Sequence, residues 1–494
     1  MADPTLLWRR DGDPEADEAL LRAVLQLLLD EAVRRGTDAS EKVCEWKEPG
    51  ELRGLLDLDL RPEGEGDQRI LQRCRDIIRY SPKTCHPRFF NQLFSGLDAH
   101  ALAGRFITET LNTSQYTYEV APVFVLMEEA VLQKLRALVG WTNPGGGVFC
   151  PGGSISNMYA LNLARYRRFP DCKERGMRAL PALVLFTSQE SHYSIQKGAA
   201  FLGLGTDSVR LVKADERGKM IPEELEKQIE QAEAEGTVPF LVCATCGTTV
   251  LGAFDPLPPI ADVCQRHGLW LHVDAAWGGS VLLSQGHRHL LDGIERADSV
   301  AWNPHKLLMT GLQCSALLLQ DSSDLLSRCH GAQATYLFQT DKFYSPTLDT
   351  GDRAIQCGRR VDCLKLWLMW KAQGGRGLGL RVDKAFALAR YAAEEIKKRV
   401  GFQLVMEPEF LNVCFWFVPP SLRGQQESPD YVERLAKVAP TLKERMVKSG
   451  SMMIGYQPRG RLANFFRLVL GNPAVTPADV DFVLSELDRL GRDL

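Results

Sequence analysis

From about residue 110 onward, short apolar runs alternate with helix-like segments, and this alternation constrains the fold more than any other feature of the chain. Ala182 to Thr187, Val238 to Thr245, Leu269 to Ala276, Ser299 to Asn303 and Ala316 to Leu319 are too short for typical helices and rich in Val, Leu and aromatics. Such runs read as strands buried on both faces. Strands alternating with helices specify a mainly parallel α/β sheet. From roughly residue 380 the pattern becomes helix (Val382 to Arg399), strand (Leu411 to Val418), helix (Tyr431 to Ser449), strand (Asn464 to Leu470) and helix (Pro477 to Leu490), a smaller α+β unit. At the other end, Leu20, Leu21, Val24, Leu25, Leu28 and Val33 recur at helical spacing, which predicts an amphipathic helix over residues 19 to 34 whose apolar face needs a cover.

Composition narrows the partners. The chain of 494 residues carries 59 basic and 62 acidic side chains spread along its length, a formal charge of -3, so it shows no electrostatic footprint for nucleic acid or an anionic membrane. The opening stretch with Trp8, Arg9 and Arg10 is followed by acids, and Leu20 to Leu29 is interrupted by Arg22 and Gln26, which fits neither a secretion signal nor a membrane span. Thirteen scattered cysteines point to a reducing, cytoplasmic setting. Cys243 and Cys246 have the spacing of a metal or redox pair but sit in a strand-like run without a second pair, so both read as core residues and no metal is expected.

The chemistry concentrates at strand ends. In Leu269-Trp-Leu-His-Val-Asp-Ala-Ala-Trp-Gly-Gly279, the side chains of His272, Asp274 and Ala276 share one face of an extended strand. Ligands of open α/β sheets bind at the carboxyl ends of the strands. A carboxylate there needs a cationic or hydrogen-bonding partner, and a pyridinium nitrogen is one candidate, with a salt bridge to a nearby base as the plainer alternative. About thirty residues on, Ser299-Val-Ala-Trp-Asn-Pro-His-Lys306 brings a lysine to the same edge, where burial would lower its pKa and free the amine as a nucleophile toward a carbonyl. Pro151-Gly-Gly-Ser-Ile-Ser-Asn157 precedes a helix-like run from Met158 to Arg168, so Gly153 and Ser154 stand where helix N-H groups attract phosphate. Ser188-Gln-Glu-Ser-His-Tyr-Ser194 puts His192 at another strand end, where an imidazole could stack on a ring.

Together these segments resemble the pyridoxal-phosphate decarboxylases of the group that includes glutamate decarboxylase and aromatic amino acid decarboxylase. The resemblance runs from Pro87-Arg-Phe-Phe-Asn-Gln-Leu93 through Asn112-Thr-Ser-Gln-Tyr-Thr-Tyr-Glu119, Gly247-Thr-Thr249, the Asp274 and Lys306 strands and Tyr336-Leu-Phe-Gln339 to Asn464-Phe-Phe-Arg467. It implies the aspartate aminotransferase-like fold of pyridoxal-phosphate enzymes, fold type I, with a mainly parallel seven-stranded sheet. It also implies an N-terminal helical segment (1–93), a cofactor-binding large domain (94–375), a small C-terminal domain (376–494), and a homodimer with the active site at the interface. By the same resemblance Lys306 holds pyridoxal 5'-phosphate as a Schiff base, Asp274 pairs with its ring nitrogen, His192 stacks on the ring and Ala276 packs on the other face. Gly153, Ser154, Asn303 and His305 surround the phosphate and Thr249 lies near the ring hydroxyl. Tyr336 returns a proton to the substrate carbon after carbon dioxide leaves, and Arg467 grips the acidic side chain of the substrate.

Within that group the pocket segment reads Gln92-Leu-Phe-Ser-Gly-Leu-Asp98, with Phe94-Ser95 where glutamate decarboxylases carry Ser-Thr, and Ser114 and Tyr116 where they carry Asn and Phe. Phe94 shortens the pocket. The expected substrate is a small acidic amino acid, cysteine sulfinate above all, giving hypotaurine for taurine synthesis. Cysteate and aspartate are weaker candidates, and a glutamate or aspartate decarboxylase of the same family is the alternative. Cys85 and Ser345-Pro346 depart from the group's usual residues, and the proline is expected to stiffen the loop after Tyr336. A nicotinamide oxidoreductase is disfavoured because Gly203-Leu-Gly205 lacks a third glycine. A nucleoside deaminase lacks its signature residues. A non-catalytic scaffold is opposed by Lys306, Asp274, His192, Tyr336 and Arg467 occurring together.

Overall fold

The computed structural model describes residues 14–494, so Trp8, Arg9 and Arg10 lie outside the described residues. Two compact units emerge. One comprises the described part of Met1–Gln92 with Trp416–Phe466 and Ala474–Leu494; the other comprises Leu93–Phe415 and Arg467–Pro473.

The larger unit is built on a seven-stranded sheet: β1 (Gly147–Cys150), β2 (Leu183–Ser188), β3 (Val209–Val212), β4 (Val238–Thr245), β5 (Trp270–Asp274), β6 (Ser299–Trp302) and β7 (Ser315–Leu319). Its spatial order is β1-β7-β6-β5-β4-β2-β3. Strands β2 to β6 pair in parallel, and β7 runs antiparallel to both β6 and β1. The five strands expected from sequence are present with ends shifted by one or two residues. β1 and β3, each four residues long, were not legible as strands. The central strands β4, β5 and β6 are buried almost throughout, as helices on both faces require.

Because β7 is reversed, β1 points the same way as β6. The ends of β1, β2, β4, β5 and β6 and the start of β7 therefore meet at one edge of the sheet. In register, Thr245 faces Asp274, Asp274 faces Ala301, and His272 faces Ser299. The chain turns so tightly after β4 and β5 that Gly278 N–H donates to the Cys246 carbonyl at 3.0 Å. A Cβ on Gly278 would lie 2.4 Å from that carbonyl oxygen.

The helix expected over 19 to 34 spans Pro14–Leu27 and continues as π-helical turns over Leu28–Arg34, leaving Leu21, Leu25 and Leu29 exposed. A second sheet combines Phe89–Phe90, Met453–Arg459, Leu462–Val469, Asn412–Phe417 and Phe402–Leu404, in that order. Helices Tyr431–Ser449 and Pro477–Leu490 match the sequence reading. The helix expected from Val382 is the second half of Cys363–Lys398, which is broken at Gly374 (φ 65°). No described helix is long and apolar enough to cross a membrane. Cys243 and Cys246 are fully buried.

The crossing at Gly278 predicts that Gly278→Ala lowers stability by about 1–3 kcal/mol, because backbone rather than a mobile side chain must give way. A drop in the thermal unfolding midpoint relative to Gly286→Ala, which meets only the Ser284 hydroxyl at 4.0 Å, checks it.

Candidate active site

Lys306 sits in a turn just beyond β6, where its N–H donates to the Asn303 carbonyl at 3.0 Å. The side chain is half-buried, with flanking residues inside. Burial pushes its pKa below that of an ordinary lysine and the Arg467 charge adds to this, while Asp274 pulls the other way. Lys306 is thus within electrostatic reach of both Asp274 and Arg467. His192, half-buried at the end of the β2 loop, joins them: burial lowers its pKa, Asp274 opposes this and the Lys306 charge reinforces it.

Asp274 is 5% exposed and its carboxylate is fixed from two sides. Oδ1 accepts from Ala276 N–H at 3.1 Å, and Oδ2 accepts from the Asn157 side-chain amide at 2.8 Å. The same Asn157 nitrogen donates to Ser194 Oγ at 2.9 Å, and Ser194 Oγ lies 2.8 Å from His192 Nδ1. One buried amide on the helix Gly153–Arg168 therefore ties the carboxylate to the histidine. Asn157 and Ser194 were not singled out in the sequence. Their connection depends on helical phase, which places Asn157 one turn after Gly153 and over β5.

The phosphate candidates gather at the start of that helix. Gly152 (φ 97°) turns the chain into it, no side chain caps it, and its first two N–H groups, of Gly153 and Ser154, precede the first helical hydrogen bonds. Across from them, the Asn303 side-chain oxygen accepts from Ser315 Oγ at 2.6 Å, which directs its Nδ2 toward Gly153. A Cβ on residue 153 would stand 2.6 Å from that nitrogen, so the space requires glycine. His305 is buried, its Nδ1 donates to the Cys314 carbonyl at 2.7 Å, and burial brings its pKa down to about 4. Thr245 Oγ1, in register with Asp274, is buried without a hydrogen-bond partner. A lysine amine, a fixed carboxylate, an uncapped helix start and an orphaned hydroxyl along one sheet edge fit a flat phosphorylated carbonyl compound with a basic ring.

Arg467 is 4% exposed and donates through Nη1 to the Thr249 carbonyl at 2.6 Å. Asn412 Nδ2 donates to the same carbonyl at 3.0 Å, and its Oδ1 accepts from Trp277 Nε1 at 2.9 Å. Phe94 is half-buried, and two residues later Gly96 packs so closely that a Cβ would meet Met309 and Asn472. This brings the pocket segment against the Lys306 turn and the stretch after Arg467. Ser114 accepts at Oγ from the Arg359 N–H at 3.0 Å, and Tyr116 receives the Gly351 N–H at its carbonyl, so both belong to a loop braced by residues 349–359. Gln92 is exposed. One expected site residue is not gathered here. Tyr336 is 79% exposed and none of its hydrogen bonds or ring contacts reaches the group around Lys306.

Comparison with known proteins resolves the family. Residues 49–418 match the pyridoxal-dependent decarboxylase conserved domain. The chain belongs to that family. Among its relatives, rat cysteine sulfinic acid decarboxylase is 76% identical over 494 residues, covering all of both chains. The bovine acidic amino acid decarboxylase GADL1 is 60% identical over all of this chain and 95% of its own. The crystal structure of mouse CSAD superposes with a TM-score of 0.96 at 75% identity, covering 98% of this chain and 100% of that one. The fold is therefore that of the fold type I pyridoxal-phosphate enzymes, and this decarboxylase takes pyridoxal phosphate as its cofactor.

Two outcomes follow from the geometry. Gly153→Ala should weaken pyridoxal phosphate binding by about tenfold, the equivalent of ~1.4 kcal/mol, by pressing on Asn303; fluorescence titration of the apoprotein measures it. Only the neutral form of an amine attacks a carbonyl, and the lowered pKa of Lys306 makes that form available below the ~10.4 of a free lysine. The rate of cofactor recombination should therefore rise with pH and level off below that value. Arg467→Ala, which removes a like charge, should move the midpoint up.

Proposed function

We propose that this chain decarboxylates cysteine sulfinate to hypotaurine, with cysteate and aspartate as weaker substrates and glutamate disfavoured. The observation that carries this reading is the full-length likeness to rat cysteine sulfinic acid decarboxylase, unbroken over both chains. The 60% likeness to bovine GADL1 supports a second reading, a broader acidic amino acid decarboxylase.

Bound pyridoxal phosphate supplies an electron sink for the pair left behind when carbon dioxide departs. The residues supply the rest. Lys306 holds the cofactor through its amine, Asp274 keeps the ring nitrogen positive, His192 and Ala276 confine the ring faces, and Thr249 stands by the ring hydroxyl. Gly153, Ser154, Asn303 and His305 hold the phosphate. Arg467 binds the distal acid of the substrate as a fork, which selects the bond to be broken by fixing the substrate's orientation. Phe94 limits side-chain length, with Ser114 and Tyr116 bordering the same pocket. Tyr336 gives a proton to the α-carbon. Its exposure within one chain agrees with a homodimer in which this loop serves the site at the interface. A cytoplasmic location suits the thirteen cysteines, none of them in a disulfide among the described residues.

A panel of cysteine sulfinate, cysteate, aspartate and glutamate tests the assignment by kcat/KM. Cysteine sulfinate should lead, aspartate leading would favour the broader reading, and glutamate leading would sink both. Phe94→Ser should raise glutamate relative to cysteine sulfinate by about tenfold, since one methylene in a pocket is worth ~1–3 kcal/mol. Arg467→Ala should cost about a hundredfold in kcat/KM on every acidic substrate.

A further inference from the structure

The amide that steadies Asp274 is itself steadied by a buried chain of hydrogen bonds that runs in one direction. Trp270 Nε1 lies 2.8 Å from Ser299 Oγ, Ser299 Oγ lies 2.8 Å from His272 Nδ1, and His272 Nε2 lies 3.0 Å from Asn157 Oδ1. The Asn157 oxygen can only accept, so Nε2 must donate to it, which leaves Nδ1 to accept from Ser299, whose oxygen in turn accepts from the Trp270 indole. His272 then carries its hydrogen on Nε2 and donates to Asn157 Oδ1. With that oxygen taken, both Asn157 N–H bonds face Asp274 and Ser194. Flipped over, the amide would press its carbonyl oxygen against the Asp274 carboxylate. His272, Ser299 and Asn157 are each at most 1% exposed, so water cannot replace a missing link. Burial also brings the His272 pKa down to about 4, which keeps the imidazole neutral in this role.

We infer that His272 is a positioning residue: through the Asn157 amide it fixes the direction in which Asp274 presents its charge to the ring nitrogen of the cofactor. This rests on the reading of Asp274 as the partner of that nitrogen. Sharing one face of β5 with Asp274, and registered against Ser299, His272 directs its ring nitrogens to Ser299 and Asn157 rather than to Lys306. Its influence is confined to one atom of the cofactor, and that makes it separable from a general packing role.

The experiment compares the binding of pyridoxal phosphate with that of its 1-deaza analogue, in which C–H replaces the ring nitrogen, to the apoprotein by fluorescence titration. In the wild type the natural cofactor should bind more tightly. His272→Phe should shrink that preference by about tenfold while leaving the affinity for the analogue within about twofold, and His272→Gln, which can still donate from Nε2, should retain the preference. Asp274→Ala is the reference. If it abolishes the preference and His272→Phe does not, the positioning role is wrong and the Asp274 reading stands; if Asp274→Ala leaves the preference intact, both fail. Equal losses for both ligands in His272→Phe would assign the histidine to packing alone and overturn the inference. Should His272→Phe not fold, Ser299→Ala, which removes the proton passed to Nδ1, is held to the same comparison.

Discussion

The hydrogen bond between the Asn157 amide and the Asp274 carboxylate is the constraint on which the site depends. A carboxylate at the end of a central strand, with neighbours on both sides and helices above and below, cannot keep its charge by solvation. It is held instead by donors whose positions were settled when the sheet and the helix Gly153–Arg168 packed together. That same helix begins at the glycine facing Asn303, so the element that steadies the charge also offers the uncapped N–H groups. On the proposed reading, one helix serves both a cationic ring nitrogen and an anionic phosphate from positions one turn apart.

Electrostatics in this crevice are asymmetric by construction. Lys306 and Arg467 are drawn below the pKa of their free side chains by burial, while the Asp274 carboxylate receives the neutral N–H donors of Asn157 and Ala276. Burial thus acts on the cations of the crevice, and hydrogen bonds act on its carboxylate.

Much of this was legible in the chain. Asp274 and Lys306 announced themselves because each ends an apolar strand, and a charged group there has few structural uses. The alternation of strands and helices fixed the class of sheet for the same reason. β1 and β3 escaped because four residues carry too little pattern, and β1 opens on a glycine. Asn157 carries no role legible in the chain, since an asparagine near a helix start resembles an ordinary cap until its phase over β5 is known. Tyr336 shows the opposite case: family likeness gave it a task, yet within one chain no packing force holds it near Lys306.

The reversal of β7 has a further effect. Lys306 rides on an excursion that leaves the sheet along β6 and returns along β7, adjacent strands roughly 4.8 Å apart, with Ser315 reaching back to Asn303 across the mouth. Both feet of the arch stand on the same two rails. Variation in the helical crossovers elsewhere can lengthen or shorten those segments without sliding the amine along the crevice, which leaves evolution free to reshape the substrate side while the anchoring point stays where it is.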